Sequence, residues 1–420
     1  MASDQWPVIS DRNVTGEFAG STDPWPLTPE FRMFSDRTNW ELTQNRLTEA
    51  LEQVRSSGAP VLDLTISNPT RVGLRYDEPQ ILQSLASPLA MDYDPQPKGL
   101  LSARAAVADY YRAEHGVNLD SDRLLLTTST SEGYSFVLRL LCNPGDELLV
   151  PKPSYPLFEF LADLQDVKLV PYPLIYDHGW QMDFPSLHSA VTKRTRGVFV
   201  VHPNNPTGSY VHPEEQKSLN RFCREHRLAL IADEVFLDYA HDGEKRQSFA
   251  VNQEVLTFTL SGVSKISALP QMKVAWIAGS GPAADLKVAQ ARLEVIADTY
   301  LSMNAPIQWA TPALLDQRKT IQPQLLDRVR GNLAELDRQL AAQKNCQRLN
   351  VDGGWYAVLR VPVTQTDEEL AIDLLRRNSV LVHPGHFYDF ASDGYLVLSL
   401  ITPRPEFAEG MKRLLELVTT

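Results

Sequence analysis

Between about residues 75 and 315 the chain repeats one pattern: a short continuous apolar run, a polar cluster, then a helical stretch. The runs are Leu124–Thr127, Glu147–Val150, Val167–Val170, Gly197–Val201, Leu228–Ala232, Leu256–Leu260 and Val274–Ala278; helical stretches such as Ser131–Leu141 and Glu214–Glu225 separate most of them. A strand that is apolar at successive positions has to be covered on both faces, and helical crossovers supply that cover. The pattern therefore predicts an α/β fold around a mostly parallel sheet. In such sheets ligands bind beyond the carboxyl ends of the strands.

The chain ends read differently. Residues 1–30 are rich in Pro, Ser, Thr and Asp and lack helical period, which reads as an extended arm. A helix follows over about Trp40 to Ser57, with Leu42, Leu47, Leu51 and Val54 on one stripe and Gly58 closing it. An amphipathic helix over 320–345 leads into a smaller αβ unit: strand Trp355–Val361, helix Asp367–Asn378, strands Val380–His383 and Tyr395–Ile401, and helix Glu406–Leu417. A mixed or antiparallel sheet is expected there. The division expected is an arm plus part of the small domain over 1–74, a large domain over 75–320 and a small domain over 321–420.

Composition narrows the function classes. Lys+Arg number 40 against 52 Asp+Glu, a net −12, so nothing basic dominates to displace counterions from phosphates, and a nucleic-acid or anionic-membrane binder is not expected. No apolar run approaches the roughly 18 residues of a membrane span. Met1–Pro7 lacks the basic and apolar regions of a secretory signal, and Cys142, Cys223 and Cys346 are too scattered for a disulfide framework or a CxxC metal site. His383 and His386 sit in a Pro-Gly turn without further ligands, so no metal is expected. A cytoplasmic enzyme is the expectation.

The polar clusters carry the chemistry. Thr127-Thr128-Ser129-Thr130-Ser131-Glu132-Gly133 leads into a helix, where free N–H groups and hydroxyls form a phosphate cup; Ser129-x-x-Glu132 is equally an ordinary capping box. Tyr155, between Pro153 and Pro156, is held in an extended turn that suits a ring stacking on a planar ligand, or a core tyrosine. Asn205 precedes Pro206 in a rigid corner, either as a ligand-facing amide or as a plain Asx turn. Asp233 finishes an apolar strand, where a partly desolvated carboxylate needs a cationic partner. Lys265 is followed by the largely apolar run Ile266–Pro270; desolvation there lowers an amine's pKa and frees it for Schiff-base chemistry, whereas a solvated lysine would be inert.

Taken in order (cup, aromatic, amide, acid, lysine), these residues resemble the fold-type I pyridoxal-phosphate enzymes, specifically the class I/II aminotransferases, over roughly residues 60 to 415. The most specific segments are Asn204-Asn205-Pro206-Thr207-Gly208, Asp233-Glu234-Val235 and Ser264-Lys265, with Tyr93, Pro95, Gly99, Asn143–Glu147 and His383-Pro384-Gly385 also similar. The resemblance implies an aspartate-aminotransferase-like fold and a homodimer with shared sites. It also implies exchange of an amino group between an amino acid and a 2-oxo acid by ping-pong kinetics. Lys265 would hold pyridoxal 5'-phosphate as a Schiff base and shuttle the substrate proton. Asp233 would face the ring nitrogen, Asn205 the ring hydroxyl and Tyr155 the ring face. Ser129, Thr130 and Ser131 would bind the phosphate, joined by Tyr93 of the neighbouring subunit. Asn68 lies where relatives close a loop over the substrate carboxylate.

Three departures stand beside the matches. Phe236 replaces the tyrosine expected three residues after Asp233, and a phenyl ring cannot donate to the ring oxygen. Lys273 replaces the phosphate-binding arginine eight residues after Lys265, giving a point charge without the planar fork; Gly262 replaces a serine, leaving Ser261 or Ser264 to compensate. Val397 stands where a carboxylate-clamping arginine belongs. Arg360 is the first candidate to replace it, on a strand expected to neighbour Val397; Arg37, Arg71, Arg75 and Arg404 are alternatives, and a structural ion pair is the bland reading of Arg360. Elimination, decarboxylation or cyclisation with the same cofactor is the alternative activity. A regulator that kept the fold is a third reading, but it would need no lysine at 265. From Phe236, the Lys265 Schiff base is expected to stay protonated to a higher pH than in relatives with the tyrosine; a pH titration of the visible spectrum giving an unusually low value would contradict this.

Overall fold

The computed structural model describes residues 33–40, 43–301 and 303–418. The arm expected over 1–30, and Leu42 of the first helical stripe, lie outside the described residues.

A two-stranded pairing comes first in the chain: β1 (Leu62–Asp63) will meet a partner more than 300 residues later. The main sheet has eight strands: β2 (Leu124–Thr127), β3 (Glu147–Lys152), β4 (Lys168–Tyr176), β5 (Trp180–Met182), β6 (Thr195–Val201), β7 (Ala229–Asp233), β8 (Thr257–Gly262) and β9 (Ala275–Ser280), in the order β2-β9-β8-β7-β6-β3-β4-β5. Strands β4, β3, β6, β7 and β8 pair in parallel. β9 runs antiparallel to both β8 and β2, so β2 again points the same way as β8. Hence the carboxyl ends of β2, β3, β6, β7 and β8 share one edge.

All the expected strands of this sheet are present. β5 is the addition: it returns antiparallel along β4 after the turn Asp177-His178-Gly179, and three residues are too few to show a period. The central strands are buried at every position, as continuous apolar runs require. Along β7 the faces alternate. Ala229 and Ile231 pack toward helices Thr130–Leu141 and Ala283–Tyr300, whereas Leu230 and Ala232 pack toward Phe184–Ala190 and Pro213–His226.

The smaller sheet joins β10 (Gln347–Arg348), β11 (Tyr356–Arg360), β13 (His383–Pro384) and β14 (Tyr395–Ser399) in the antiparallel order β10-β11-β14-β13. The expected single strand Val380–His383 is divided: β12 (Val380–Leu381) turns away to pair in parallel with β1, and β13 pairs with β14. The first helix runs Arg46–Ser56 rather than from Trp40, because the Asn45 side chain caps it by accepting from the Thr48 N–H at 2.7 Å. Helix Arg46–Ser56 packs on Asp367–Asn378, which places the N-terminal segment and the C-terminal unit around one core.

Two loops stitch the small sheet to the large one beside the shared strand edge. The Gly208 carbonyl accepts the Asp352 and Gly353 N–H groups at 3.2 and 3.0 Å, and the Tyr239 carbonyl accepts from Gly354 at 3.0 Å. Gly208 has φ +69, and a Cβ there would run into the Val351 side chain, so only glycine lets the two segments approach this closely. Among the described residues no helix is long and apolar enough to cross a membrane.

Candidate active site

The shared strand edge brings the expected residues together. Asp233 is the last residue of β7, and Lys265 follows β8 in the short helix Val263–Ile266; parallel pairing places Asp233 opposite Leu260 on the neighbouring strand. Asp233 is 8% exposed, and burial raises its carboxyl pKa; the Tyr134 hydroxyl, the Val235 N–H and the nearby Lys265 charge pull the other way. Tyr134 donates to Asp233 Oδ2 at 2.5 Å and Val235 N donates to Oδ1 at 3.0 Å, so both carboxylate oxygens are held. Burial lowers the Lys265 amine to about 8, against the opposing attraction of Asp233. Its Nζ lies 4.8 Å from the Trp355 ring centre and 5.5 Å from that of Phe236, in an aromatic pocket without hydroxyl donors on those two walls.

The local sequence explains these positions. β8 ends in Gly262, where a Cβ would meet the Val274 carbonyl at 2.8 Å and the Ala275 Cβ at 2.9 Å. The neighbouring strand therefore excludes the serine expected there. Ser261 does not replace it, since its buried hydroxyl donates to the Glu234 carbonyl at 3.3 Å; Ser264 is half-buried and keeps its hydroxyl free of described partners. Tyr239 donates to the Lys265 carbonyl at 2.6 Å and fixes the turn that carries the amine.

Asn205 follows β6 and is buried, and its Oδ1 has no hydrogen-bond partner among the described residues. Asn204 beside it is used differently: its Oδ1 accepts from the Thr207 hydroxyl at 2.9 Å, closing the turn. Tyr155 is half-buried in the loop after β3, close enough to Asp233 for that charge to raise its pKa, although burial is the larger cause.

At the end of β2, Ser129 caps helix Thr130–Leu141 by accepting from the Glu132 N–H at 3.1 Å, while the Glu132 carboxylate accepts from Thr128 N at 2.7 Å. The capping reading holds in part: Ser129 caps the helix, but Glu132 reaches the Thr128 N–H instead of closing a box on the Ser129 N–H. This cap leaves the Thr130 and Ser131 N–H groups without described partners at the helix start, where an anion is favoured. Lys273 is exposed, with φ +53, and makes no ion pair with a described residue.

Other expected residues sit farther out. Tyr93 is 80% exposed. Asn68 caps a single turn, accepting from Thr70 N at 3.0 Å, and its loop is tied to β14 by the Ser399 hydroxyl, which donates to the Ile66 carbonyl at 2.5 Å. Val397 is registered opposite Val358, so β11 is its neighbour as expected, and Arg360 lies on the same face of β11. The Arg360 guanidinium is exposed, 5.8 Å from the ring centres of both Tyr176 and Tyr395. Arg37 and Arg404 are engaged with Asp166 and Asp327.

Tyr134 escapes a reading of strand-end clusters because it lies inside a helix. Its one signal is position: it falls one turn after Thr130, on the helix face that meets the sheet. Trp355 and Tyr356 pack against Phe236 from the start of the strand Tyr356–Arg360.

A covalently bound pyridoxal phosphate would find what it needs here: a buried amine near neutrality, a buried carboxylate with both oxygens fixed, an unpartnered carboxamide and free N–H groups at a helix start. The family described as aminotransferase class I and II matches residues 84–403. The alanine aminotransferase of Mycobacterium tuberculosis is 29% identical over 376 residues, covering 86% of this chain and 86% of that protein. The glutamate-pyruvate aminotransferase of Escherichia coli is 30% identical over 276 residues, 64% of this chain and 67% of that protein. In fold, the structure of an alanine aminotransferase from Pyrococcus furiosus is similar with TM-score 0.80 at 22% identity, covering 89% of this chain and 96% of that one. The chain belongs to the aminotransferase class I and II family, whose members in general depend on pyridoxal phosphate, and it transfers an amino group between an amino acid and a 2-oxo acid.

Proposed function

We propose that Lys265 holds pyridoxal 5'-phosphate covalently and that the amino group passes between alanine or glutamate and the corresponding 2-oxo acids. The observation that carries this reading is the buried Lys265 amine, brought to about 8 beside a buried carboxylate that Tyr134 and Val235 fix in place. The choice of alanine and glutamate rests on the names of the similar aminotransferases.

When bound, the cofactor supplies an electron sink for the pair left at the substrate's α-carbon. The protein's residues do the rest. The Lys265 amine, neutral above about 8, takes the α-proton and returns it on the other side of the exchange. Asp233 holds a negative charge toward the ring nitrogen, and Asn205 offers its amide to the ring hydroxyl. Tyr155 covers the ring face. Ser129, Thr130, Ser131, Ser264 and Lys273 take the phosphate, with Tyr93 contributed across a homodimer. Phe236 and Trp355 exclude water around the amine, and Asn68 and Arg360 border the substrate. The division into 1–74, 75–320 and 321–420 and a cytoplasmic location belong to the same reading.

Two outcomes follow. Adding alanine or glutamate singly to the loaded protein should convert the visible cofactor band to that of the amine form without ammonia release; ammonia release would assign the elimination chemistry instead. Tyr134→Phe removes one charge-assisted bond to Asp233, about 1.5–3 kcal/mol, and should weaken cofactor binding roughly ten- to a hundredfold. Loss of this donor raises the Asp233 pKa further, so protonation discharges it at a higher pH and the loss of affinity should grow as pH falls. A cofactor dissociation constant matching the wild type at every pH would contradict the role given to Tyr134.

A further inference from the structure

Val397, on the strand that borders the site, is 1% exposed and registered with Val358 on one side and His383 on the other. Polar side chains converge beside it from three segments. Tyr356 lies two residues from Val358 on the same face of β11; it is 7% exposed, and its hydroxyl has no hydrogen-bond partner among the described residues. Tyr388 is buried just after β13, with its hydroxyl 3.0 Å from His383 Nδ1. Tyr155 approaches from the large sheet, on a loop fixed by the Ser154 N–H, which donates to the Tyr388 carbonyl at 2.9 Å. The three phenols are near enough for each to bear on the ionisation of another. The cluster reaches the reacting amine through Phe236, whose ring centre is 6.3 Å from that of Tyr356 and 5.5 Å from Lys265 Nζ.

What the cluster lacks is a cation. Among the described residues the buried guanidiniums are those of Arg104 and Arg318, which pair with Asp122 and Glu114. Burial holds the His383 imidazole at about 4, so it is neutral in the working range, and burial likewise keeps the phenols protonated. Neutral His383 can donate from Nδ1 to the Tyr388 oxygen, which leaves the Tyr388 proton available to a ligand. The Tyr356 ring is buried, yet its hydroxyl has no partner among the described residues and is not sealed off, so it is open to the acceptor of a ligand.

We propose that Tyr356 is a specificity-determining residue that, with Tyr388 supported by His383, holds the substrate α-carboxylate through neutral hydrogen bonds in place of a guanidinium clamp. This rests on the aminotransferase site described above. Neutral donors give a carboxylate no long-range attraction, so substrate capture depends little on ionic strength.

The test uses the loaded enzyme and two amines: alanine, and ethylamine, which keeps the amino group and methyl but has no carboxylate. Tyr356→Phe should raise the KM for alanine roughly ten- to a hundredfold, with kcat within about threefold, and leave the binding of ethylamine unchanged. Tyr388→Phe should shift the same ratio in the same direction. Equal losses for both amines would make Tyr356 merely structural, and no loss for alanine would remove it from the site; either result overturns the proposal. The visible cofactor band is read first in every protein. Its absence from the wild type would sink the active-site reading itself, whereas a normal band with no carboxylate-specific loss would sink only the role of Tyr356.

Discussion

An amine and a carboxylate buried near one another at the ends of two parallel strands set the character of this site. Burial alone drives both toward neutrality, the carboxyl upward and the amine down to about 8, and their mutual attraction only partly opposes this. Such a pair survives in a folded protein when other groups hold it. Here Tyr134 and Val235 fix the carboxylate and Tyr239 fixes the backbone of the lysine. An amine brought down to about 8 and set against two aromatic rings gives up its proton far more readily than an ordinary lysine, which suits it to nucleophilic and proton-transfer chemistry. The same amine on a solvated face would stay charged.

The sheet exists to present that pair. Parallel pairing of β6, β7 and β8 lines up Asn205, Asp233 and Lys265 at one edge, and the reversal of β9 keeps β2 and its helix start facing the same way. The small sheet then closes the other side. Gly208 admits the 351–354 segment against the large unit, which delivers Trp355 to the lysine and Tyr356 to the neighbouring Phe236. The amine and carboxylate and the aromatic rings that wall the amine thus come from different parts of the chain and meet through a loop that tolerates no side chain at one position.

Much of this arrangement was legible in the amino-acid order, for physical reasons. Strands buried on both faces must be apolar throughout, so β2, β6, β7 and β8 stand out, and polar residues that end them are conspicuous. β5 was hidden because three residues carry no period, and the end of the first helix was misplaced by a cap, Asn45, that lies inside an otherwise plausible helical stretch. Tyr134 was hidden because its partner is 99 positions away, and nothing local distinguishes a hydroxyl that meets a carboxylate from one that meets water. The departures turned out to have local causes where packing is involved: Gly262 is dictated by the strand beside it. Val397 has no such steric explanation in the structure.

The account stands on covalent attachment at one lysine. Borohydride reduction of the protein as purified, followed by digestion and peptide mass analysis, tests this most directly. The account predicts a pyridoxyl group on the peptide that contains Lys265 and on no other. A pyridoxyl group on a different lysine, or none on a protein that retains its visible cofactor band, would contradict it.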